Sequence, residues 1–100
     1  MNDQEIEKEI QEKGLAAPRV TKERILSLVT KEQYHVFEGS TFTSCLLTLK
    51  NGFTVHGESA CPSPENFDIE LGRKIARDNA VNKIWMLEGY ALRERLSNAK

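Results

Sequence analysis

Asn51-Gly52 stands between two runs rich in β-formers, residues 42–50 and 53–60. A two-residue type I′ turn needs positive φ at both central positions, and Asn-Gly is its strongest short signature, so the pair predicts a β-hairpin. Setting Lys50 opposite Phe53 puts Phe42, Ser44, Leu46, Thr48, Phe53 and Val55 on one face, with Cys45, Leu47, Leu49, Thr54 and His56 on the other. Both faces are then part apolar. A chain of 100 residues has little material with which to cover two sides of a sheet. The expectation is that one face takes the chain's own helix and the other a second subunit.

The flanking segments fill in a single α+β domain over residues 1–100. Asn2 and Asp3, followed by an acid-rich run with Ile6 and Ile10 at i, i+4, predict a short helix that Gly14 ends. Two apolar positions cannot hold so short a helix by themselves, so it has to dock. Pro18 makes residues 14–20 a connector, and Thr21 caps a second short helix over 22–29, where Ile25, Leu26 and Val29 fit a 3.6-residue period. Residues 33–37 have strand composition, and Glu38-Gly39-Ser40 is a turn. With the hairpin this gives a three-stranded antiparallel meander. After a loop holding Pro62 and Pro64, Asp68 caps a long C-terminal helix on which Gly72, Ala76 and Ala80 recur every fourth residue, a nearly bare face suited to close packing. Gly89 is the weak point where that helix is expected to kink or break, with Trp85 and Tyr90 beside it as core or interface anchors.

Charge is balanced overall, 14 Lys and Arg against 15 Asp and Glu, which speaks against a general nucleic-acid or membrane-surface binder. It is unevenly placed. Between Tyr34 and Asp68 the only cation is Lys50, whereas from Ile69 onward seven Lys or Arg face four acids. An anion site would most economically use that last segment. No apolar leader or bilayer-length segment is present, and Cys45 and Cys61 read as reduced thiols of a cytosolic chain. Together with His35 and His56 they have neither the number nor the spacing of a metal site.

Arg73 and Arg77, at i, i+4, point the same way, and two guanidinium forks side by side suit a pyrophosphate or two phosphates. The competing reading is that Glu70 and Asp78 neutralise them. Asn66 lies in a semi-rigid loop at the start of the same helix, where free N–H groups favour anions. Phe53, beside the hairpin turn, can stack on a base if exposed, and is otherwise a core residue. Arg19, on the rigid connector, is either a ligand contact or a carboxylate-paired surface side chain. No Walker loop, G-x-G-x-x-G or pair of carboxylates in an apolar setting is present, so nothing in the chain asks for an enzyme or a cofactor.

Taken together, Gly14-Leu-Ala-Ala-Pro-Arg-Val-Thr21, Leu49-Lys-Asn-Gly-Phe-Thr-Val55, Gly57-Glu-Ser-Ala-Cys61, Asn66-Phe-Asp68, Gly72-Arg-Lys-Ile-Ala76 and Ile84-Trp-Met-Leu-Glu-Gly-Tyr90 resemble a family of small phage and prophage proteins known by gene-product numbers 49 and 66. The chain is also similar to the first class of Thoeris anti-defence proteins. That resemblance implies a sponge acting in the host cytosol during infection, which binds glycocyclic ADP-ribose or cyclic trinucleotides without cleaving them. It further implies a homo-oligomer, a dimer or trimer of dimers, with ligand held between subunits by arginines, an asparagine and an aromatic ring. Arg19, Phe53, Asn66, Arg73 and Arg77 have the matching chemistry. The alternative is a small phage protein–protein interaction module with no nucleotide ligand, in which the arginines serve solubility.

Overall fold

The computed structural model describes residues 2–15 and 17–99; Ala16, within the expected connector, lies outside them, as do Met1 and Lys100. Its elements in chain order are α1 (Asp3–Glu12), α2 (Lys22–Ser27), β1 (Val29–Val36), β2 (Phe42–Leu49), β3 (Thr54–Ala60), a 3-10 turn (Pro64–Asn66) and α3 (Ile69–Asn98). The three strands form one antiparallel sheet in the order β1-β2-β3, the meander expected from the sequence.

Local chemistry explains the element ends. Asn2 caps α1 in a reciprocal box with Glu5, its Oδ1 accepting from the Glu5 N–H at 2.8 Å. Gly14 follows the helix at φ 66°, the left-handed conformation that favours glycine. Thr21 caps α2 and Asp68 caps α3 through side-chain oxygens that accept from Arg24 and Leu71 N–H groups. No residue of α1 is buried; the helix is tied to the following segment by ion pairs of Glu7 with Arg19 and of Asp3 with Lys22.

Three expectations are corrected. The 22–29 helix stops at Ser27, and Val29 opens β1, which is therefore longer than 33–37. Ile25, Leu26 and Val29 satisfy a helical period, but Val29 and Thr30 are adjacent β-branched residues, and Lys50 N–H draws the Leu28 carbonyl into the sheet at 2.9 Å. The hairpin register differs by one residue. Leu49, not Lys50, faces Phe53, and Leu47 pairs with Val55. Lys50, Asn51 and Gly52 form a three-residue loop in which only Gly52 has positive φ, at 88°, while Asn51 Oδ1 accepts from the Phe53 N–H at 2.9 Å. A one-residue slip flips the strand, so Val55 joins Cys45, Leu47 and Leu49 in the core. The opposite face is left with half-buried Phe42 and exposed Leu46 among Ser44, Thr48, Thr54 and His56. That face is still part apolar, as expected, with Phe37 packed against Phe42, though polar residues outnumber the apolar ones. Finally, Gly89 does not interrupt α3, which runs unbroken through it.

The core lies between α3 and the inner face of β2 and β3, built on Ile25, Cys45, Leu47, Val81 and Ile84, all essentially inaccessible. Each large aliphatic side chain so buried contributes roughly 1.5–3 kcal/mol. The Gly72, Ala76 and Ala80 face is buried as expected and lets helix and sheet meet backbone to backbone. A Cβ on Gly57 of β3 would stand 2.3 Å from both Ala76 O and Ala80 N. Replacing Gly57 with Ala should therefore force α3 off the sheet, lowering stability in urea unfolding by about 1–3 kcal/mol or abolishing the fold. Gly89→Ala meets no atom within 4 Å and should raise stability by about 0.5–1 kcal/mol in the same measurement.

Candidate anion site beside the edge strand

Because α3 packs over β2 and β3, β1 lies to one side of the helix. Its eight residues include none that is fully buried. Antiparallel pairing places Glu32 opposite Leu47 and Tyr34 opposite Cys45, so both side chains rise on the helix side of the sheet, next to the helix face that carries Arg73 and Arg77. Arg77 Nε donates to Glu32 Oε1 at 3.0 Å, the same oxygen accepts from the Tyr34 hydroxyl at 2.7 Å, and the Arg73 guanidinium carbon lies 5.7 Å from the Tyr34 ring centroid. The expected alignment of the two arginines holds. Their neighbour is different from the one expected: the carboxylate that meets Arg77 is Glu32, 45 residues away, with Asp78 a lesser influence. Arg73 makes no ion pair among the described residues and rests on an aromatic face.

The electrostatics follow from this geometry. The hydrogen bond from Arg77, then that from Tyr34, holds the Glu32 carboxyl below the ordinary carboxylate range, and Glu32 in turn raises Arg77. Burial, followed by the bond to Glu32, pushes the Tyr34 hydroxyl well above its usual value, and burial likewise raises the Cys45 thiol. At neutral pH both are therefore neutral, proton-bearing groups, Tyr34 a hydrogen-bond donor and Cys45 a thiol. What the cluster offers chemically is a fixed pair of cations on a rigid helix, one of them already oriented by a carboxylate, beside an aromatic ring. Such a set holds and orients an anion.

The other sequence candidates are dispersed within one chain. Arg19 is engaged with Glu7, whose carboxyl that contact lowers. Asn66 ends the 3-10 turn two residues before the cap of α3, its N–H given to the Ser63 carbonyl at 3.0 Å. Phe53 is 57% exposed beside the middle of the helix, where with His56, Lys83, Met86 and Leu87 it lines a shallow hollow of about 250 Å³. Met86 lies about 20 Å along the helix axis from Arg73, so the ring and the arginines do not share a pocket in a single chain. Tyr34 and Glu32 were not legible as site residues. The one signal they give is their i, i+2 spacing on a strand, which puts them on a common face once the register is known.

Fold and site define a small α+β protein that presents paired guanidinium groups next to the open edge of a three-stranded sheet. Residues 20–96 match the model of the phage protein family described as N4 Gp49/phage Sf6 gene 66, and the chain belongs to that family. Neither the curated proteins nor the solved structures compared with it contain a match. No helix among the described residues is long and apolar enough to cross a membrane.

The Glu32–Arg77 pair should be visible in the acid limb of stability. A depressed folded-state pKa adds stability that is present above the unfolded value, about 4.3, and is lost as pH falls through the folded value. The stability gap between the protein and Glu32→Gln, measured by urea unfolding, should thus be widest near neutrality and close progressively below about pH 4. A gap that is flat from pH 7 to pH 3 contradicts the ion pair.

Proposed function

We propose that the protein is a phage anti-defence sponge, which binds signalling nucleotides such as glycocyclic ADP-ribose or cyclic trinucleotides and withholds them without cleavage. The observation that carries this reading is the Arg73–Arg77 pair on one face of α3, with Arg73 free of a carboxylate among the described residues and lying over Tyr34. Two adjacent forks match two phosphates, and the aromatic ring beside them suits a base or ribose face. Membership of the phage family agrees with the setting. Sequestration needs a preorganised cationic clamp and no turnover, and the sheet and helix hold both arginine backbones rigidly. In this reading Asn66, Phe53 and Arg19 come to the ligand from neighbouring copies of a cytosolic homo-oligomer. That is how residues scattered along one chain would share a site.

A second reading, a protein–protein interaction module, is favoured by the middle of α3. Met86, beside Phe53 in the hollow, and Tyr90, one helical turn further along, are 76% and 72% exposed, a small apolar surface with no cover among the described residues.

Calorimetry with glycocyclic ADP-ribose and with cyclic tri-adenylate separates the two. Binding at micromolar protein or below, with intact nucleotide returned after heat denaturation, is expected of the sponge. Arg73→Ala and Arg77→Ala should each weaken binding by about tenfold or more, the loss of a charge-assisted hydrogen bond. Absence of binding to either nucleotide, with a discrete protein recovered by pull-down, establishes the interaction module instead.

A further inference from the structure

The hydrogen bond from Leu49 N–H to the Phe53 carbonyl sets the alternation of the β2–β3 ladder. Thr54, His56 and Glu58 therefore face β2 without exchanging bonds with it, and their N–H and C=O groups point away from the sheet. The Glu58 carbonyl is met by the side-chain amide of Asn79 on α3, at 2.8 Å. Nothing among the described residues bonds to the backbone groups of Thr54 and His56. This stretch is an open edge.

The helix overhangs it. Gly57 lies against Ala76 and Ala80, and Gly72 lies near Ser59, so α3 runs antiparallel to β3. At about 1.5 Å per helix residue and about 3.3 Å per strand residue, Val55 comes level with about residue 83 and Phe53 with about residue 87. The flank above the edge thus carries Asn79, Lys83, Met86 and Leu87 in turn, and the hollow of about 250 Å³ is the space between that flank and residues 53–56. Lys83 is exposed and makes no ion pair among the described residues, and Phe53, Met86 and Leu87 are exposed apolar side chains.

We infer that this edge and hollow receive an extended peptide segment of another protein, added antiparallel to β3, with an acidic residue followed two positions later by a large apolar one. The backbone groups of Thr54 and His56 demand a strand, because only a strand exchanges two hydrogen bonds with each. In that strand the residues opposite Val55 and Phe53 rise on the helix side. The first meets the Lys83 ammonium, where a carboxylate is complementary and a cation is repelled; the second meets Phe53, Met86 and Leu87, where an apolar side chain is buried. Residues opposite Thr54 and His56 point to the solvent side and are not selected. The ladder ends at Glu58, whose carbonyl is already taken, so the bound segment is short. A second β3 strand centred on His56 fits poorly, since residues 57 and 59, a glycine and a serine, would fall at the two selective positions. The inference does not rest on nucleotide binding, for Arg73 and Arg77 stand on the other flank of α3, toward β1.

Selection of a random heptapeptide display library on the purified wild-type protein should enrich an acid, any residue, then Leu, Ile, Met or Phe. A synthetic peptide of the enriched sequence, at saturation, should slow exchange of the Thr54 and His56 amides by about tenfold or more and leave Val55 and Gly57, already bonded to β2, unchanged. Lys83→Glu should weaken that peptide by about tenfold or more, and a peptide with Lys in place of its acid should recover the loss on this variant. Enrichment of no sequence or of a different pattern, or protection at other amides, overturns the proposal. Slow exchange at Thr54 and His56 in the protein alone also overturns it, because a second copy then already fills the edge. Loss of nucleotide binding in the calorimetry leaves this result untouched, and loss of peptide binding leaves the sponge standing.

Discussion

At Gly57 the backbone of β3 meets the backbone of α3, and no side chain fits between them. Gly57 faces the turn between Ala76 and Ala80, and Gly72 sits so close to Thr43 that an added Cβ would stand 2.8 Å from the threonine oxygen. This approach fixes both the height of the helix above the sheet and its lateral position. The helix is centred over β2 and β3 because the small residues are there, and β1 is consequently left outside its cover. A buried hydroxyl without a partner, on Thr43, is one cost of the tight fit.

From that lateral offset comes the electrostatic character of the molecule. Arg73 and Arg77 stand one helical turn apart on the side of α3 that looks toward β1, and they reach over the flank of the sheet rather than into the core. Glu32 and Tyr34 receive them. Had the helix been centred on β2 and β1, those cations would have met solvent or been excluded by apolar packing. The same offset explains why β1 contains no fully buried residue although it is as long as β2.

Much of this was legible in the residues. The caps at Thr21 and Asp68, the small-residue face at 72, 76 and 80, the three-strand meander and the shared direction of Arg73 and Arg77 all follow from local rules acting over a few residues. The hairpin register did not, because Asn-Gly serves both a two-residue loop and a three-residue loop with glycine in the left-handed region. The choice depends on whether Val55 is wanted in the core, a tertiary matter. The end of α2 was misplaced for a related reason: Val29 fits the helical period and the strand equally well, and the Leu28 carbonyl's bond to Lys50 decides. The role of Glu32 depends on a contact across 45 positions of sequence that no spacing rule anticipates. For the same reason the neutralising acids read from the sequence were Glu70 and Asp78, of which Asp78 keeps a lesser influence on Arg77 behind Glu32.

All the fully buried residues of α3 fall between Gly72 and Ile84, yet the helix continues to Asn98 without interruption. Trp85 still packs against the core and the Glu88 carboxylate is held by Arg24 of α2, whereas from Arg93 to Asn98 every residue is exposed. Mechanically the helix is a short cantilever, clamped from Gly72 to Glu88 and free over its last turns. With a rise of about 1.5 Å per residue, some 12 Å separate Glu88 from Leu96, so a tilt of about 5° at the end of the clamp would carry the tip through only about 1 Å. The free turns thus present every side chain to solvent at a place the core holds nearly fixed.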